Sequence, residues 1–563
     1  MFSISGFVDQ QLGQLLETWN IYSTVLAGLI AVILIVTGAM AQEPDTHPMI
    51  LLRQSHASQV RNEGESAVYR SADSPHGYPL RSGLNVRQPG APAYSGGRNG
   101  DLRDIWRRVS GEIPLEAPRD REVSSAGGEQ PKITTFHGRE STEDHNIGEV
   151  TKDIHIVGTV LRKNGSKRVA IFLPNSIEFL EALFACSFYG LTPILIPRAA
   201  STVEVANLLL RTKADTLIAE AGLSLDELMH VSTLRQVIWV VERTSRHVDW
   251  TDVPADIGGK IDVSMWHQLI QDHQDIKSAD APDLKASELG NIITVWGDET
   301  PKREIVEFTH QNFVSAIAGL LATLPGKQRL NPTDLFLAAD SWSTPYALVL
   351  TFAALWSHAS LAITSQAIAG VDLTVATMGA SPTVIVADAS SAQALHDRTA
   401  KLATGLPQQL ALWSVRRGLD DGYMPSGSLL DSVIPPVRAR VGVEPSQLRL
   451  LFVTEGPGGP RLSADALADL RAFTHARVVR ALTVPTVAGA VAQTGVFDYR
   501  RGAEHYGPPV GSVEVKLVDK AGHRTTDEKA EGELVVVGPA VAGGESRTGV
   551  LVKVTRDFTL AVV

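Results

Sequence analysis

The stretch from Asn291 to Phe313 holds the groups best spaced to meet an anion. Ile292, Ile293 and Val295 read as a buried strand, a charged loop runs from Gly297 to Glu304, and a segment opening at Thr309 continues through the apolar run Phe313 to Leu321 as a helix. Strand, loop and helix start is where an α/β protein cradles phosphate, because free backbone N–H groups and the helix dipole both favour negative charge. The residue types here oppose that use. The loop has one glycine, Gly297, while Asp298, Glu299 and Glu304 repel phosphate and bulky side chains hold the backbone away. Lys302 offers a point charge to an anion, or is a solvated lysine among acids.

The elements that must position this loop alternate between strand and helix. KRVAIFLPNS, from Lys167 to Ser176, is a buried strand and a turn, and IEFLEALFACSFYG is a helix ending at Gly190, a natural C-cap. LTPILIP, DTLIAE, LRQVIWVVE, DLFLAAD, HASLAIT and TVIVADAS read as further strands. ASTVEVANLLLRTKA reads as a helix capped by Ser201 or Thr202, with Glu204 in its first turns. The alternation predicts βαβ units and a mainly parallel sheet covered on both faces. Gly405 to Pro436 is less regular, and no solenoid repeat, zinc spacing, GxSxG elbow or Walker loop is present. A chain of 563 residues buries a sizeable core, and a net charge of −11 argues against a general nucleic-acid binder. The single cysteine, Cys186, lies in an apolar run, so it reads as a buried structural thiol and fits a reducing compartment.

No charged residue lies between Trp19 and Gln42, and Ile21 to Ala41 is predominantly apolar. That matches the roughly 20 residues a helix needs to cross a bilayer. A cleaved signal peptide, whose cut site Ala39-Met40-Ala41 resembles, and a buried core helix are the alternatives. No Lys or Arg precedes Arg53, so the basic start of a signal peptide is missing, and a retained anchor is predicted. Arg53 and Arg61 after the span place the bulk of the chain in the cytosol. Residues 42–150 are rich in Gly, Ser, Pro and Arg and predict an irregular wrapping segment. Within it, Leu102 to Val109 is a short helix candidate anchored by Ile105 and Trp106, and Pro118 to Gln130 is a surface loop. The arginines from Arg53 to Arg103 suit anionic headgroups or merely solvate a linker.

In this order the segments resemble the adenylate-forming (AMP-binding) superfamily, nearest its long-chain fatty acyl-CoA synthetases. VAIFLPNSIEFLEALFACSFYGLTPILIP is similar to the family's early strand, helix and strand. TPKREIVEFTHQNF falls at its phosphate loop, and DLFLAADSWSTPYALVLTFAALWSHASLAI at its substrate-tunnel wall. GPPVGSVEVKLVD and EGELVVVGPAV follow its adenine-binding region, and the resemblance covers about residues 66–563. It implies remnant nucleotide-binding positions at Thr300, Lys302, Thr309, Gly456, Gly458 and Thr483. Pro301, His310 and Asn312 also fit the loop pattern, His310 as a structural histidine rather than a base. In LRLLFVTEGPGGPRLSADALADLRAF, Gly456, Gly458 and Gly459 keep the family's turn beside the acyl and adenine sites, or form a turn without a ligand, and Ser463 caps the next helix. In RALTVPT, Arg480 stands for the aromatic that stacks on adenine, Ala481 for a glycine, and Val484 for the glutamate that holds magnesium. In SRTGVLVKV, Val550 stands for the ribose-binding aspartate, and the family's C-terminal lid with its lysine has no counterpart before Val563.

The expected fold is therefore α/β: an adenylate-forming-enzyme-like large N-terminal domain of layered parallel sheets and helices, preceded by one transmembrane helix. Its divisions are a flank at 1–20, the anchor at 21–41, the irregular segment at 42–150, the AMP-binding-like core at 151–440 and the remainder of that domain at 441–563. No catalytic residue and no metal ligand set is expected. One reading is a membrane-anchored, catalytically impaired relative that binds lipid or serves as a scaffold and needs no cofactor. The other is an active long-chain fatty acid-CoA ligase using ATP, Mg and CoA. Expected partners are membrane lipid, a long-chain fatty acid or acyl group, and a protein, with no nucleic acid. The expected location is a single-pass membrane protein of the endoplasmic reticulum, or of the mitochondrial outer or peroxisomal membrane. Cleavage after Ala41 would instead give a secreted or luminal protein.

Overall fold

The computed structural model describes residues 20–40, 43–87, 91–92, 94–113, 131–139, 141–241, 261–276, 281–297, 303–425, 441–442, 447–501, 504–520, 522–526 and 530–563. Three sheets organise them. The seven-stranded sheet runs, in spatial order, Glu304–Phe308, Ile292–Trp296, Thr192–Leu195, Arg168–Phe172, Thr216–Glu220, Gln236–Val240 and Asp262–Met265. Its pairs are parallel except the first, an antiparallel hairpin in which Trp296 faces Glu304. The eight-stranded sheet runs Ala492–Gln493, Arg477–Leu482, Leu450–Glu455, Val384–Asp388, Leu335–Ala338, Ser360–Ile363, Ile133–Phe136 and Thr142–His145, parallel but for its two edge pairs. The third sheet is antiparallel and joins Ser55–Ala57 and Tyr69–Ser71 to Glu514–Val518, Glu531–Val537, Glu545–Val554 and Leu560–Val562.

Helices fill the space beside the parallel sheets. Ile177–Tyr189 starts where the Ser176 side chain accepts the Phe179 N–H and stops at Gly190, which holds φ 71. It is apolar nearly all round and buried on every face, as such a helix must be. Pro345–Trp356 is buried along its whole length. Phe184 joins these layers: its ring lies 5.1 Å from Trp106 and 5.5 Å from Phe352. Burying a side chain of that size contributes about 1.5–3 kcal/mol. The helix Thr202–Thr212 is capped by Ser201, the first of the two candidates, and Ser201 and Glu204 form a capping box, each bonding the other's backbone.

Two segments are more ordered than their composition suggests. From residues 42–150 come two strands of the antiparallel sheet and the edge hairpin Ile133–Phe136 and Thr142–His145, and the helix expected at Leu102–Val109 is present, with its anchors Ile105 and Trp106 inaccessible to solvent. Three of their arginines are engaged in ion pairs: Arg70 with Glu514 at 2.5 Å, Arg103 with Asp101 at 2.9 Å, and Arg98 with Asp104. The stretch read as less regular contains the helix Leu406–Asp420, which opens with a proline in its first turn. The loop expected at Pro118 to Gln130 lies outside the described residues. The expected membrane anchor corresponds to a helix at Ile21–Met40, with side chains described through Ala31. Among the described residues no helix is long and apolar enough to cross a membrane.

Candidate functional site

Ligands of open α/β sheets bind beyond the carboxyl ends of the strands. Here those ends meet. Asn175, two residues past Leu173, donates to the carbonyls of Asp340 (2.9 Å) and Ala338 (3.4 Å) and accepts the Trp342 N–H at 2.8 Å. This ties the seven-stranded sheet to the eight-stranded one. Phe179 packs on Trp342 with ring centres 5.6 Å apart. Beside this tie, the Asp340 carboxyl is wholly buried, and that burial, followed by the charge of Asp388, pushes its pKa up to about 7.

A second meeting point lies at Gly456 and Thr483. A Cβ on Gly456 would sit 3.2 Å from the Trp296 ring and 3.8 Å from the Thr483 hydroxyl, so glycine lets three strand ends converge. Thr483 is buried, and both its N–H (2.9 Å) and its hydroxyl (3.2 Å) donate to the Glu455 carbonyl. Gly458 holds φ 79 in the turn that follows, with open space where a side chain would stand.

The side chains here have partners of their own. Glu455 accepts from Arg480 Nε at 2.9 Å and Nη2 at 2.7 Å, from the Tyr506 hydroxyl at 2.7 Å and from the Leu462 N–H at 3.1 Å. The Arg480 guanidinium lies 4.2 Å from the Tyr506 ring centre. Side-chain exposure is 3% for Arg480 and 0% for Glu455. Burial alone would weaken the Arg480 cation, but the Glu455 carboxylate outweighs it and raises its pKa. Burial and then Glu455 raise that of the Tyr506 hydroxyl. Charge, hydrogen bonds and aromatic face are all satisfied within the triad. The sequence marks Arg480 as standing for an aromatic. It does not reveal Glu455 and Tyr506 as its partners.

The remaining expected positions lie nearby or elsewhere. Thr309 caps the helix His310–Ala322, its hydroxyl accepting the Asn312 N–H and donating to Asn312 Oδ1 at 2.9 Å. Asn312 in turn donates to the carbonyls of Pro539 and Val541, fastening this helix to the third sheet's loops. His310 is buried, with its Nδ1 accepting the Leu102 N–H, and burial lowers its pKa to about 4. Val484 is completely buried in the core, and Val550 packs half-buried on the strand Glu545–Val554. Thr300 and Lys302, with Asp298 and Glu299, lie outside the described residues.

The resemblance sets Val484 at the position of the magnesium-holding glutamate and Val550 at that of the ribose-binding aspartate. Mg²⁺ takes oxygen ligands, and Val484 presents only hydrocarbon. Arg480, which the resemblance sets at the position of the adenine-stacking aromatic, lies against the Tyr506 ring. Among the described residues no group of three His, Cys, Asp or Glu could hold a metal ion.

Solved structures share the fold. The anthranilate CoA ligase AuaEII in complex with anthranoyl-AMP is 15% identical, with a TM-score of 0.58 over 84% of this chain and 78% of that one. A long-chain-fatty-acid-CoA ligase (FadD1) from Archaeoglobus fulgidus is 13% identical, with a TM-score of 0.57 over 86% of each chain. The N-terminal domain of FACL13 from Mycobacterium tuberculosis is 14% identical, with a TM-score of 0.56 over 82% of this chain and 99% of that one. No curated protein matches. The model of the AMP-binding enzyme family matches residues 124–296 and 299–544, and the chain belongs to that family.

Proposed function

We propose that this chain is a membrane-anchored member of the family that does not adenylate, and that it acts by binding lipid, a long-chain acyl group or a protein partner. The observation that carries this reading is the dry Glu455–Arg480–Tyr506 triad, which commits to itself the charge and aromatic surface a nucleotide would need. Val484 at the position of the metal-holding residue supports it. The anchor rests on the sequence, in which no charged residue lies between Trp19 and Gln42, enough for the roughly 20 residues that a bilayer-crossing helix needs. A cytosol-facing membrane, of the endoplasmic reticulum first and of mitochondria or peroxisomes next, is the location this reading implies.

An active long-chain fatty acid-CoA ligase, dependent on ATP, Mg and CoA, is the competing reading. It draws on Gly456 and Thr483, which stand together at the strand ends. One experiment separates the two. The full chain in detergent is given ATP, magnesium, a long-chain fatty acid and CoA, and AMP release is followed beside calorimetry with Mg·ATP. The expected result is neither AMP release nor nucleotide binding, with fatty acid still bound. Micromolar Mg·ATP binding or steady AMP release overturns the proposal. Protease access to a tag at each terminus tests the orientation.

A further inference from the structure

The helix Leu406–Asp420 is mounted with one face inward and one face bare. Ala411, Leu412, Val415, Gly418 and Leu419 are buried. Opposite them, Leu406 is 81% exposed, Leu410 62% and Trp413 60%, with Leu402 on the preceding turn 59% exposed. The spacing of 406, 410 and 413 puts the three on one stripe, and Arg417 continues it, its guanidinium 5.7 Å from the Trp413 ring. The helix is held firmly: Arg416 makes two 2.7 Å bonds to Asp469 of the helix Ala464–Thr474. An apolar stripe on a rigid support has a surface to meet.

Three observations name that surface. First, the chain that leaves the helix Ile21–Met40 is pinned to the end of this one: the Asp45 N–H donates to the Gly422 carbonyl at 2.9 Å, and Tyr499 donates to the Asp45 carboxylate at 2.6 Å. The uncharged helix therefore ends within five residues of a contact with the amphipathic one. Second, Met49, Ile50 and Leu52, just past that pin, are also exposed. Third, the basic Arg417 continues the stripe, and the one acid of the helix, Asp420 at its end, has its charge offset by Arg501, although the whole chain has a net charge of −11. Aliphatic side chains, a tryptophan and an arginine on one helix face suit the boundary between headgroups and acyl chains.

We propose that the Leu402–Leu406–Leu410–Trp413 stripe is a membrane-contact face, lying in the interface of an anionic bilayer beside the anchor. The inference rests on the membrane-anchor part of the proposed function. It goes further by holding the body of the protein against the lipid at a second point, instead of leaving it swinging from the first.

The test uses the full chain with Leu410→Cys, labelled with an environment-sensitive fluorophore; the native Cys186 is fully buried and does not compete. The protein is reconstituted in vesicles of phosphatidylcholine and phosphatidylserine, with and without nitroxide-labelled lipid, and checked by flotation. Flotation with a quenched, blue-shifted probe is the expected result. Adding Leu406→Glu and Trp413→Glu should then reduce the lipid-contacting population at least about tenfold while flotation persists. Flotation with a probe that stays in water overturns this inference and leaves the anchor standing. Failure to float sinks the anchor reading and this inference with it. A blue shift that grows with protein concentration and ignores the nitroxide lipid assigns the stripe to a second copy of the chain, and so also overturns it.

Discussion

Removing one member of the buried triad leaves a charge with no counterpart and no water. Arg480→Met keeps most of the side-chain volume but, among the described residues, strips Glu455 of two of its four hydrogen bonds and of the cation in contact with it. Breaking a buried pair in this way costs about 3–5 kcal/mol. Taking about 2.1 cal/mol/K of unfolding entropy per residue over 563 residues, the melting midpoint should fall by about 3–4 °C. Glu455→Gln should cost a similar amount, because it strands the Arg480 cation. The double variant Arg480→Met/Glu455→Gln contains no buried charge, and its amide still accepts the Leu462 N–H. Its loss should fall short of the summed single losses by about 2 kcal/mol or more.

The assay is scanning calorimetry of the four proteins, at about 0.05 and 0.5 M salt. Because the pair is dry, salt should change the coupling little, unlike that of an exposed pair. Strict additivity of the two substitutions, or an Arg480→Met midpoint within a degree of the parent, would refute the argument. Either result would mean that water reaches the pair and that the space is open to a ligand.

Three further outcomes follow from the same geometry. Asn175→Ala strands the Trp342 N–H and the Asp340 carbonyl and should cost about 3 kcal/mol, read as a midpoint shift in denaturant. The Asp340 carboxyl has its pKa raised from 3.8 to about 7, so between those values the folded chain holds a proton the unfolded chain has lost, and stability falls as pH rises through that window. Asp340→Asn should flatten that limb and raise stability above pH 7, and a limb of unchanged slope would count against it. Gly507 holds φ 79, and a Cβ there would meet the Gln493 carbonyl oxygen at 2.2 Å. Gly507→Ala should therefore lose more than about 2 kcal/mol and, by shifting the neighbouring Tyr506, also weaken the Arg480 coupling.

Most of the strands and helices from Arg168 onward follow rules local to the chain. Ser201 with Glu204, Ser463 before its helix, and Gly190 at a left-handed cap each act over three or four residues, so a sequence displays them directly. What the sequence hides is pairing across distance. Ser55–Ala57 and Tyr69–Ser71 are three residues each and poor in aliphatics; Glu514–Val518, some 440 residues away, offers an edge to Tyr69–Ser71, on which Ser55–Ala57 pairs in turn. Leu406–Asp420 escapes notice because its exposed leucines and tryptophan alternate with buried ones and blur the amphipathic pattern.

The triad occupies a middle ground, since half of it is legible in hindsight. Arg480 interrupts the buried strand RVVRAL, and Glu455 ends the buried strand LLFVTE. A charge inside an apolar strand demands a counter-charge, because isolating it in a core costs far more than a fold can absorb. In the parallel register Arg480 lies opposite Val453, and Glu455 is two residues further along, hence on the same face of the sheet. Two unexplained charges in two neighbouring strands thus solve each other once the strands are known to be neighbours. Tyr506 has no such sequence signal, because it comes from a connecting segment whose path only the fold sets. The same logic argues against a vestigial pocket left vacant by lost side chains. Glu455 and Arg480 are stable in the core only as a pair, so replacing Arg480 alone by an aromatic would leave Glu455 ionised, buried and without its cation.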